Sequence, residues 1–105
     1  MMPDEAIDNL REAIEMACQS QNANRIVAGR ARVLAMPRLW ILDQVERVAI
    51  ETLALSDYRE YRRLLELAEM LDPRLVQRFV ALGIDSDDPN VREAAKDFDK
   101  KADSN

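Results

Sequence analysis

The chain has 105 residues, 48% of them apolar and 33% charged, with two glycines and four prolines; this composition disfavours both disorder and a turn-rich all-β fold. Net charge is −5 and histidine is absent, which excludes the usual neutral-pH general base, histidine-dependent nucleophiles and histidine metal sites. The length suits one domain, read as residues 1–99 followed by a fraying tail at 100–105.

The first predicted helix spans about Pro3 to Gln19, with acids in its first turn and Ile7, Leu10, Ile14, Ala17 and Cys18 on one side. Cys18 belongs to that stripe, so its favoured role is a small buried apolar residue. A polar turn follows, in which Asn22 or Asn24 is placed to cap the next helix. Residues 25–36 admit two readings. Ile26, Val27, Ala31 and Leu34 favour a helix, whereas Gly29 and the alternation from Arg30 to Val33 also suit a strand. A lone strand would lack a pairing partner, so helix is preferred.

Pro37 separates this segment from Leu39 to Leu53, which is apolar over a broad face and is expected to be a central helix. Ser56 and Asp57 compete to cap a fourth helix, and Asp57 with Glu60 has the spacing of a capping box; the inner side of that helix carries Tyr58, Tyr61, Leu64, Leu65, Ala68 and Leu71. Asp72-Pro73 opens a fifth, lined by Leu75, Val76, Phe79 and Val80, and Gly83 is expected to end it in a left-handed cap. Asp88-Pro89 opens the sixth, where Val91, Ala94, Ala95 and Phe98 fall at i, i+3, i+4 and i+7. Short connections predict antiparallel neighbours in an all-α fold of six helices, either stacked hairpins or a compact bundle.

Little in the chain supports chemistry. Cys18 is the only cysteine, so neither an intrachain disulfide nor a thiolate metal cluster forms. The two glycines are isolated, which excludes a phosphate-cradling loop. Asp85, Asp87 and Asp88 share a loop, but Pro89, Asn90 and Lys96 occupy places where a calcium loop needs a ligand, a glycine and a bidentate glutamate. No enzyme, cofactor or metal is expected. The apolar runs, such as Leu39 to Leu42, fall far short of the roughly 20 residues of a membrane helix. With no leader pattern and a single cysteine, the expected location is the cytoplasm.

Charge is unevenly distributed. Residues 1–20 carry five acids against Arg11, while 21–38 carry Arg25, Arg30, Arg32 and Arg38 and no acid. Arg59, Arg62 and Arg63 are placed on the exposed side of the fourth helix, where pairing with Glu60, Glu66 and Glu69 or with acids of an adjacent helix is favoured over capture of an acidic partner or phosphate. Trp40, beside Arg38, is read first as a core filler and second as an interface anchor. The candidate partner-binding residues are thus Arg38, Trp40, Arg59, Arg62 and Arg63.

Asp88-Pro89-Asn90-Val91-Arg92-Glu93-Ala94-Ala95 resembles the start of the first helix of a HEAT repeat, Asp-x-x-Val-Arg-x-x-Ala. The resemblance implies packing roles for Val91 and Ala95, and bonds from Asp88 and Arg92 to neighbouring turns. It also implies a stacked-hairpin, protein-binding scaffold. No second copy of the pattern occurs at a repeat spacing. The function expected is a non-catalytic protein-interaction module. A small acidic immunity or antitoxin-type protein, and nucleic-acid binding through the arginines, are the alternatives. The net negative charge disfavours the last. An apolar face left over after packing would indicate a homodimer.

Overall fold

The computed structural model describes residues 3–103, which form six α-helices and no strand. The chain divides into two compact units, residues 1–53 and 54–105. No helix among the described residues is long and apolar enough to cross a membrane.

In the first unit, α1 (Pro3–Gln19) packs against both α2 (Ala23–Ala35) and α3 (Arg38–Thr52). Its stripe of Leu10, Ala13, Ile14, Ala17 and Cys18 is buried, at the i, i+3, i+4, i+7, i+8 spacing of one helix face. The ambiguous segment is a helix. Asn22 caps it, its side-chain oxygen accepting from the Arg25 amide at 3.1 Å. Gly29 lies inside α2 because α1 leaves no room for more. A Cβ there would stand 2.6 Å from the Ala17 nitrogen, 2.7 Å from the Met16 Cβ and 2.8 Å from the Ala13 oxygen.

α3 buries Ile41, Val45, Val48 and Ala49, a narrower strip than the breadth of its apolar residues led us to expect. Leu39 is 84% exposed and Ile50 46%, while Trp40, Leu42 and Thr52 are half-buried. The Gln19 side chain donates to the Thr52 carbonyl at 3.4 Å, tying the end of α1 to the end of α3.

In the second unit, α5 (Pro73–Gly83) packs on α4 (Tyr58–Leu71) and on α6 (Pro89–Asp103), and α4 also meets α6. The aspartates before the two proline-led helices act as caps. Asp72 accepts from the Arg74 amide at 2.8 Å, and Asp88 from the Asn90 and Val91 amides at 2.8 and 3.1 Å. The Arg92 guanidinium donates to the Ser86 carbonyl at 2.6 Å and so closes the loop before its own helix. Val91, Ala94, Ala95 and Phe98 are all buried. α6 continues to Asp103, into the segment read as a frayed tail; residues 104–105 lie outside the described residues.

Three local expectations are corrected here. Gly83 is not a left-handed cap: no glycine among the described residues has positive φ, and Gly83 ends α5 in helical conformation, followed by Ile84 at φ −63°. Its small size serves Tyr61, whose ring occupies the place a Cβ would take. The capping box is only half made. Asp57 accepts from the Arg59 and Glu60 amides, but the Glu60 carboxylate reaches the Ala54 amide at 3.2 Å instead of returning to Asp57. Finally, Tyr61 is fully buried whereas Tyr58, in the first turn of α4, is 38% exposed.

Candidate partner-binding surface

Arg59, Arg62 and Arg63 share one side of α4 because they stand at i, i+3 and i+4. Arg59 is exposed, and Arg62 and Arg63 are half-buried, so the cluster is less open than its sequence alone indicated. The Arg62 guanidinium sits over the Phe98 ring, 5.5 Å from its centroid. Such a contact is favoured by the negative face of the ring and leaves the guanidinium without a carboxylate partner among the described residues. Arg62 lines a shallow cleft of about 130 Å³ with Tyr58, Asn90, Glu93, Ala94 and Asp97.

Intramolecular pairing was the favoured fate of these arginines, and the fold does not supply it. None of the three has a carboxylate within 4.0 Å among the described residues, whereas Arg11, Arg32, Arg47 and Arg74 are all ion-paired. Arg32 meets Glu12 at 2.9 Å across the α1–α2 contact, and Arg74 meets its capping Asp72 at 3.3 Å. The Asp72 carboxylate holds the Arg74 guanidinium above its ordinary range through the hydrogen bond and its charge.

The other two candidates stand in the first unit. Arg38, the first residue of α3, is exposed and Trp40 is half-buried, so the indole is neither a sealed core residue nor a bare anchor. Cys18 is 3% exposed. No group of three or more acidic or cysteine ligands is gathered for a metal among the described residues.

One surface escaped the sequence reading. Val27, Ala31 and Leu34, whose spacing favoured a helix, are all exposed, while Ile26, Gly29 and Val33 are buried on the side of α1. The signal was present: α2 is apolar on two sides, and a helix of that kind needs cover on both. No protein-family model, curated protein or solved structure matches the chain.

Proposed function

We propose that this chain is a non-catalytic protein-interaction module that holds an acidic segment of its partner on the arginine side of α4. The observation that carries the reading is that Arg59, Arg62 and Arg63 have no carboxylate within 4.0 Å among the described residues, in a chain where 20 acids outnumber 15 bases. The three like charges crowd one side of α4 with no such carboxylate beside them. A partner's carboxylates would offset them, and the guanidinium fork suits bidentate carboxylate contacts better than a mobile ammonium does. The likeness of Asp88 to Ala95 to HEAT repeats and the absence of histidine support the same reading. A cytoplasmic location goes with it, since the single cysteine offers no intrachain disulfide for an oxidising compartment.

The test is capture of binding partners by the wild-type chain and by an R59E/R63E variant, with each captured protein then purified and titrated calorimetrically. A partner whose affinity falls at least ~10-fold in the variant, and weakens with salt, supports the reading. A partner held equally by both proteins overturns it. Retention of the wild type on single-stranded DNA, lost in the same variant, would transfer the surface to nucleic acid.

A further inference from the structure

α4 and α6 pack side by side, and the cleft lined by both of them carries charge of both signs. From α6 come Asn90, Glu93 and Asp97, which fall at i, i+3 and i+7 and so share one flank of that helix. From α4 come Tyr58 and Arg62, one turn apart. Glu93 and Asp97 are exposed, and no cation among the described residues lies within 4.0 Å of either carboxylate. Arg62 lines the same cleft but does not pair with them; its guanidinium lies over the Phe98 ring instead. The cleft thus brings two carboxylates and one guanidinium together, none of them offset by an opposite charge among the described residues.

Arg59 and Arg63 do not line this cleft. The surface therefore passes from these two arginines, through Arg62 and Tyr58, to the two carboxylates of α6. An acid resting on Arg59 and Arg63 meets only positive charge, whereas an acid entering the cleft meets Glu93 and Asp97. A uniformly acidic segment gains on one helix and loses on the other.

We infer, resting on the α4 reading above, that the partner's acidic segment is interrupted by a lysine or arginine, which seats in this cleft against Glu93 and Asp97 while the flanking acids lie on Arg59 and Arg63. The cleft suits a cation. Its two carboxylates outweigh the single guanidinium of Arg62, the Tyr58 ring offers a negative face, and the Asn90 amide oxygen is a further acceptor. Such a mixed surface sets the register of the bound segment and selects against chains that carry acids alone.

NMR titration of the full chain with blocked polyglutamate peptides, whose central residue is lysine, glutamine or glutamate, tests this. The lysine peptide is expected to bind at least ~3-fold tighter than the glutamine peptide and to shift the amide signals of Glu93 and Asp97. That preference is expected to vanish in E93Q/D97N and to persist in E5Q/E15Q, which removes the same charge from exposed positions of α1. R59E/R63E is expected to weaken all three peptides. A glutamine or glutamate peptide that binds as tightly as the lysine peptide, or a lysine preference that survives E93Q/D97N, overturns this inference. The α4 reading then stands so long as R59E/R63E still weakens binding. Peptides that do not bind, or that R59E/R63E holds as tightly as the wild type does, overturn both.

Discussion

The Tyr61 hydroxyl donates to the Phe79 carbonyl at 2.7 Å, while the Tyr61 ring fills the space in which residue 83 would otherwise carry a Cβ, 2.3 Å from Cζ. The two helices α4 and α5 are thereby locked at one register, with a polar atom satisfied inside the core. Gly83→Ala is expected to destabilise the protein by ~2 kcal/mol despite the better helix propensity of alanine, because a ring fixed by its hydrogen bond cannot yield cheaply. Tyr61→Phe is expected to cost ~1 kcal/mol. Urea titration of Gly83→Ala, Tyr61→Leu and the Tyr61→Leu/Gly83→Ala double variant should show strong non-additivity, the alanine being tolerated once the ring is gone.

Burial pushes the Tyr61 hydroxyl up to about 12 from an ordinary 10.0, only partly offset by the backbone of Gly83. The folded state therefore keeps its phenolic proton in a range where the unfolded chain gives it up. Stability contributed by the neutral hydroxyl is complete below pH 10 and is lost as pH rises from 10 towards 12. The loss is of order 2 kcal/mol. Stability curves measured by denaturant across this range should fall for the wild type and run flatter for Tyr61→Phe.

Gly29→Ala is expected to lower stability by ~2–3 kcal/mol, opposite in sign to what helix propensity alone predicts. The added Cβ meets the Ala17 nitrogen and the Ala13 oxygen, atoms of the α1 backbone that no rotamer change can move. α1 and α2 must then separate and loosen the buried Ile26 and Val33. Thermal unfolding of Gly29→Ala beside Ala28→Gly, an exposed position on the same helix, distinguishes contact from propensity.

Among the described residues Asp72 is the one charged side chain that is buried, at 7% exposed, and its carboxylate serves both the Arg74 amide and the Arg74 guanidinium. Asp72→Ala is expected to cost ~1–2 kcal/mol through loss of the cap, and Asp72→Asn much less, since the amide oxygen still accepts. Arg74→Ala should leave stability nearly unchanged, because the Arg74 side chain is 88% exposed and its pair is screened by water. Denaturant midpoints of the three variants check the order.

The starts of α4, α5 and α6 were legible because capping is a local matter: Asp57, Asp72 and Asp88 each bond to amides within three residues. The core stripe of α6 was legible for the same reason, since one period over eleven residues identifies one face. α2 was less legible, because Gly29 and the alternation from Arg30 to Val33 also suit a strand, and the place of Gly29 in a helix is explained only by its contact with α1, remote in the chain. α5 does end at Gly83, but the left-handed cap was misread, because the partner that makes a glycine necessary there, Tyr61, lies 22 positions upstream. The arginines of α4 were identified, but their lack of carboxylate partners is a property of distances, and spacing alone had favoured pairing with Glu60, Glu66 and Glu69.

Within each unit every helix docks on one that stands next to it, or next but one, along the chain: α1 on α2 and α3, α5 on α4 and α6, α4 on α6. Each contact closes only a short length of chain, so little entropy is spent before packing begins to repay it. Folding is therefore expected on the microsecond to millisecond scale of low-contact-order helical proteins, which would leave the exposed Val27 and Leu34 of α2 little time beside unfolded chains.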